Sequence, residues 1–494
     1  MFKHALTSGF VPLLALTLGC VADPDATLER DGIDDDDALD EPEAEPTPPS
    51  GPDTLASDDE PFDVVTFCDP ALMPPVPVNF ASEMLITDLL VVEDPCRTTL
   101  TPAGACAPGT VGVWTFAELM NRMSGTVPTP LFVAEWLDTF ETNQVVNGVP
   151  MPARPATRAR IIDPWMVASG CAAGDPLLGA GACTLDMTQA PFRLLAMVNR
   201  VDMHDASTSE PGEFRFIFGA VDKNVATEPP LEATFIFEYK LPSALPITAW
   251  TNRLHDLRLW PRGSGPYRNH LQRITDDITM PGAEPGNPNG GSSIGQVRTN
   301  DVDLDFGSPI WKLREYTLQD VGRGPNAFAL DPHTTHLTPI DALNTSVPLD
   351  GYLSAQEPAI LNLSHSLPTT FLGGEVSAPM LWNETGAVGI LPETRHLFGF
   401  ATCSGCHTDE TNTNFTHVKV RPAGVASTLS PFLGVSPLPA FPGSGNPAVI
   451  QNVPDPDSST GLMFQYNEPW RRICEVRRIL AGGTVPYTRP NGAH

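Results

Sequence analysis

Phe214-Arg215-Phe216-Ile217-Phe218 and Phe235-Ile236-Phe237-Glu238-Tyr239-Lys240 decide the fold, because in both runs the aromatic rings fall on every second residue. Successive side chains of a strand point to opposite faces, so each run sets its rings on one face of a sheet. Residues 192–201, 213–221 and 233–241 are three β-rich runs separated by Gly, Pro and Asp clusters. They predict an antiparallel meander with an aromatic core. Further strands are expected at 293–304 and 310–318.

Helices are expected around this meander. Residues 114–123 and 131–140 space their apolar residues three and four apart, and Trp114, Trp136 and Trp165 read as core. Residues 249–257, 267–278 and 354–363 follow the same period. The Gly-rich loop at 285–291 lacks the Lys-Ser/Thr of a phosphate-binding loop and opens into a strand. Asp301, Asp303 and Asp305 share a strand face; they read as a solvated polar face, with a calcium site as the lesser alternative. The chain has no His-Glu-x-x-His motif. The fold class expected is α+β: a β-rich antiparallel body over residues 63–390 with flanking helices, then a small, mostly helical module at 391–494.

The one chemical motif is Cys403-Ser404-Gly405-Cys406-His407. Two thiols one helical turn apart, followed at once by an imidazole, suit covalent attachment of haem c, with His407 as an iron ligand. Two other readings compete. Cys403 and Cys406 could form a structural disulfide or dithiol, or could join His407 and His417 as four ligands of a closed zinc site. For haem, the sixth ligand is expected to be His417, and Met463 is the alternative.

The N-terminus reads as an export signal. Lys3 and His4 precede a short apolar run ending at Leu16-Thr17-Leu18-Gly19-Cys20. That stretch resembles the lipobox of bacterial lipoproteins. The resemblance implies cleavage of a signal peptide, residues 1–19, lipidation of Cys20, and an outer-membrane or cell-surface location facing periplasm or exterior. Residues 21–62 hold sixteen Asp or Glu and one Arg, half of the chain's net charge of −30. Such a run cannot bury a core and self-repels, so residues 20–62 read as a disordered acidic tether. The acidic balance excludes a nucleic-acid partner. Setting aside Cys20, Cys403 and Cys406 leaves six cysteines, which suggests three disulfides in an exported chain. Cys96/Cys106 and Cys171/Cys183 are the local pairs, and Cys68 with Cys474 follows by elimination.

Residues 391–400 lead helically into Cys403, and residues 469–481 form a second amphipathic helix with Trp470, Ile473, Val476 and Leu480 at helical spacing. A helix ending at Cys-x-x-Cys-His with a final helix across it is similar to the class I cytochromes c. Position 399, where those cytochromes often carry an aromatic, is Gly here. Phe192-Arg193-Leu194-Leu195-Ala196-Met197-Val198-Asn199-Arg200-Val201, Gln296-Val297-Arg298-Thr299-Asn300 and the run from Thr402 through Glu410-Thr411 to Phe415-Thr416-His417 together resemble a family of exported myxobacterial lipoproteins. That resemblance implies compartment and motif, and no substrate. The expected function is a lipid-anchored, single-haem electron carrier serving a redox partner protein, rather than an enzyme. The alternatives are a non-redox binding lipoprotein and a peroxidase-like protein with an open haem.

Overall fold

The computed structural model describes residues 62–63, 76–204, 211–302, 311–324, 327–378, 380–387, 389–434 and 451–482. The expected signal peptide, Cys20, all but the last residue of the tether, Cys68, Asp303 and Asp305 lie outside these residues.

Eight strands form one antiparallel sheet: β1 (Leu85–Ile86), β2 (Phe192–Arg200), β3 (Glu213–Val221), β4 (Pro230–Lys240), β5 (Ile294–Val302), β6 (Trp311–Asp320), β7 (Phe328–His333) and β8 (Glu375–Ala378). The order is β7-β6-β5-β4-β3-β2-β1, and β8 pairs with the Trp311–Arg314 part of β6 that β7 does not reach. The α+β, β-rich class expected from the aromatic alternation is what the chain adopts. The strands at 328–333 and 375–378 were not legible, since both are short and neither alternates cleanly.

The register puts Phe216 opposite Phe237, Phe214 opposite Tyr239 and Phe218 opposite Phe235. All six rings are at most 1% exposed. Burying one Phe side chain is worth about 1.5–3 kcal/mol, so this face fixes where the core lies. Helices α1 (Phe116–Met123) and α2 (Thr129–Glu141) cover it. Phe116 of α1 stacks on Phe192 at 4.0 Å and meets Phe218 and Phe237, while Trp136 of α2 sets its edge against Phe235 at 5.7 Å. Trp114, Trp136 and Trp165 are all core residues, at 1% exposure or less. Helices α3 (Ile247–His255) and α4 (Gly265–Thr279) follow, and Thr275 of α4 accepts the Trp114 indole N–H at 3.0 Å.

The second face of the sheet carries charge and is buried too. Across the ladder Arg215 stands opposite Glu238, and Arg298 stands between Ile236 and Glu315. Arg215, Glu238, Arg298 and Glu315 are each at most 5% exposed. Arg298 Nε lies 3.4 Å from Glu238 and 3.2 Å from Glu315. Asp301, expected on a solvated face, is also buried and pairs with Arg154 at 2.9 Å.

What buries this face is the C-terminal third, through α5 (Val347–Leu361), α6 (Pro392–Ala401), the single turn α7 (Cys403–Cys406) and α8 (Glu468–Leu480). The C-terminal part, expected to be mostly helical, also holds two short strands. β9 (Gln451–Pro454) and β10 (Met463–Tyr466) pair antiparallel, and Phe62–Asp63 adds a parallel strand to β10. Phe432, Phe464 and Trp470 belong to the same apolar cluster as Phe216 and Trp136. Cys96–Cys106 and Cys171–Cys183 are disulfides, as expected from their spacing, and Cys474 is also disulfide-bonded. No described helix is long and apolar enough to cross a membrane.

His365, 3% exposed, sits between Tyr352 of α5 and Phe398 of α6, and neither of its ring nitrogens has a hydrogen-bond partner. Burial pushes its pKa down to about 4 from 6.5. The folded chain therefore refuses a proton that the unfolded chain accepts. The associated stability is complete above pH 6.5 and is lost as pH falls towards 4, by about 3 kcal/mol. His365→Leu should flatten this loss when urea midpoints are compared at pH 7 and pH 4.5; an equal decline in variant and parent would contradict the assignment.

Candidate functional site

Thr402 starts the turn that carries the cysteines. Its hydroxyl donates to the Gly399 carbonyl at 2.7 Å and accepts the Gly405 N–H at 3.0 Å, which caps α7. The turn then presses on the end of α6. A Cβ on Gly405 would stand 2.2 Å from the Gly399 carbonyl oxygen, and one on Gly399 would meet Glu410 Oε1 at 2.5 Å. Only glycine fits either place, which explains why the aromatic of the cytochrome pattern is missing at 399. Ser404 accepts the Trp382 indole N–H at 3.0 Å, and the Cys403 N–H donates to Thr338 Oγ1 at 2.8 Å.

Cys403 and Cys406 are both buried, and neither is in a disulfide. Cys403 packs with Trp311, Leu313, Val376, Ala378 and Phe415 on the charged face of the sheet. Burial pushes its thiol up to about 11, against the pull of Arg298, so it stays protonated at neutral pH. Cys406 Sγ lies 3.6 Å from His417 Nε2.

His407 ends α7. Its Nδ1 meets the Phe415 carbonyl at 3.2 Å, and Phe415 holds a left-handed φ of 72° to offer it. A donating Nδ1–H fixes the tautomer and leaves Nε2 with its lone pair. Burial lowers the pKa of His407 to about 4, against the Phe415 hydrogen bond. Burial, then the neighbouring His407, hold His417 well below its ordinary value. Both rings are thus neutral and can act as ligands at neutral pH. Their centroids are 4.5 Å apart, and His417 Nδ1 meets Ser430 Oγ at 2.9 Å.

The sequence-predicted residues are only partly brought together. Cys406, His407 and His417 are neighbours, whereas Met463 lies on β10 opposite Pro454 and is 42% exposed. The four-ligand zinc set is not assembled: no three of Cys403, Cys406, His407 and His417 hold their donor atoms within 4.8 Å of one another. A tetrahedral site with bonds of about 2.0–2.3 Å needs its donors closer than that. The acid-rich group that does converge is His396, Glu410 and Asp455. Arg395 already bonds both of its carboxylates, and the group joins α6 to β9 and β10.

Sequence reasoning missed the cavity beneath this turn. It holds about 60 Å³ between the sheet and the segment running from His407 to Leu433. Val198, Ile217 and Ile236 make its apolar floor, and His407 and His417 face it from the other side. Arg200, Arg215, Thr234 and Asn300 reach it from the sheet, and Arg472 from α8. The available signal was the alternation itself: residues between the rings of an aromatic strand occupy the second face, and here those residues are Arg215, Thr234, Ile236 and Glu238. No protein-family model, curated protein or solved structure matches the chain.

Gly405→Ala should destabilise the protein by about 1–3 kcal/mol, because the methyl group meets backbone and not a side chain that can turn away. Gly104→Ala, with open space at the same position, is the control. Chemical denaturation that left Gly405→Ala as stable as Gly104→Ala would refute this packing.

Proposed function

We propose that the protein is an exported, lipid-anchored c-type haem protein that carries electrons at the cell envelope. In this reading Cys403 and Cys406 bond the porphyrin and His407 Nε2 binds its iron. The observation that carries it is the state of the cysteines. The chain closes Cys96 with Cys106 and Cys171 with Cys183, yet leaves the pair one helical turn apart as thiols. In an oxidising compartment such a pair is either joined or committed elsewhere.

The donor set fits haem in its chemistry. Bound haem supplies a one-electron change at iron. The chain's own parts are the two thiols, an imidazole turned by the Phe415 carbonyl, a water-excluding wall of Trp311 and Phe415, and guanidiniums at the cavity for the propionates. His417 is the first choice for the sixth position. His417 Nε2 lies 3.6 Å from Cys406 Sγ, so His417 would have to turn away from Cys406 to serve as a ligand. The lipobox-like Cys20, the acidic tether and the myxobacterial resemblance support anchoring to a membrane, with a redox protein as partner.

A second reading, a binding lipoprotein that carries no haem, draws support from the cavity. At about 60 Å³ it is far smaller than a porphyrin, so haem would enter only by parting the Cys403–Leu433 segment from the sheet.

A pyridine haemochrome spectrum separates the two. Protein exported from a host with haem c maturation machinery should show covalent haem, and Cys403→Ala/Cys406→Ala should show none. His417→Ala should then convert a low-spin spectrum to high-spin; a change with Met463→Ala instead moves the ligand there. Zinc without iron, or no haem at all, would contradict the proposal.

A further inference from the structure

The cavity wall has an unusual charge pattern. Arg200, Arg215 and Arg472 line it together with two neutral imidazoles, and among the described residues no carboxylate lines it. Asp202, Glu213, Glu238 and Glu468 pair with these guanidiniums, and these four are not among the residues of the wall. Burial, and then Arg200, depress Arg472 to about 10. Burial and the neighbouring Arg200 lower it more than Glu468 and Asp202 raise it.

Two polar side chains on the same wall await a partner. Thr234 is 1% exposed and Asn300 2%, and neither Thr234 Oγ1 nor Asn300 Oδ1 has a hydrogen-bond partner. They are register partners on β4 and β5, so both come from one row of the sheet. A buried hydroxyl or amide left unbonded costs about 1–3 kcal/mol, which makes such atoms rare unless something else bonds them. The volume of about 60 Å³ matches roughly four to six waters or a small organic acid.

We propose that this cavity is a carboxylate-binding site, in which the Arg200, Arg215 and Arg472 guanidiniums face the anion and Thr234 and Asn300 bond its oxygens or a neighbouring hydroxyl. Planar guanidinium and planar carboxylate pair through two parallel hydrogen bonds, which is the chemistry that recognises it. The carboxylate has two possible sources, a free short acid or the propionate of a haem attached above. The proposal does not need the haem: a haem-free chain has the same walls and must bind a carboxylate under either source.

The test uses the full chain made without haem c maturation, and the same chain made with it. Each is titrated with lactate and with its neutral counterpart lactamide at constant ionic strength, and the thermal midpoint is read. In the haem-free chain lactate should raise the midpoint saturably and lactamide should not. Thr234→Val, which keeps the shape, should weaken the effect by at least about tenfold. Asn300→Asp, which sets a like charge on the wall, should abolish it. Loss of the lactate effect in a haem-loaded chain assigns the site to propionate; retention assigns it to a free acid. Equal effects of lactate and lactamide on the haem-free chain would overturn the proposal, as would a lactate effect that survives both substitutions.

Discussion

Arg298 sits at the centre of the β-sheet's second face with Glu238 on one side, Glu315 on the other and Cys403 close enough to feel its charge. Burial works against its charge, but Glu238 and then Glu315 outweigh that and favour the charged guanidinium. Charges this deep are tolerated only when each is paired, and breaking one such pair costs about 3–5 kcal/mol. The rest of the molecule follows from meeting that demand. The C-terminal third must cover the face, and it must do so in the one register that sets acids and bases opposite each other.

The consequence for chemistry is that the cysteine-bearing turn is held from both directions. Gly399 and Gly405 lock it onto α6 at backbone distance, while Trp311 and Phe415 press on it from the sheet side. Cys403, Cys406 and His407 therefore have fixed positions. Thr402 caps the turn and the Phe415 carbonyl holds the His407 ring, so backbone and hydroxyl groups outside the Cys-x-x-Cys-His motif fix it.

Much of the fold could be read in advance because the aromatic alternation of 214–218 and 235–240 is strong and the helices around it keep their period. The Cys96–Cys106 and Cys171–Cys183 pairs were legible from spacing alone. What could not be read was the fate of the second face. Arg215 and Glu238 look like ordinary solvent-facing residues of a half-buried sheet, and only the register, which brings Glu238 opposite Arg215 and Arg298 beside Glu315, shows them as a buried lattice. The C-terminal strands were missed for a related reason. Gln451–Pro454 and Met463–Tyr466 are four residues each, too short for a period to declare itself. Cys403, Cys406 and His407 stand out in the sequence as a motif; Thr234, Asn300 and Arg472 do not, because only the folded sheet and α8 place them on one wall.

The central claim is that Cys403 and Cys406 are kept as thiols for a covalent partner. Peptide mass spectrometry reads this most directly, on protein exported with haem c maturation, unfolded without reductant and treated with an alkylating agent. The account predicts one peptide spanning both cysteines, heavier by a single haem and carrying no alkyl group. A peptide in which Cys403 and Cys406 are joined to each other by a disulfide would contradict it.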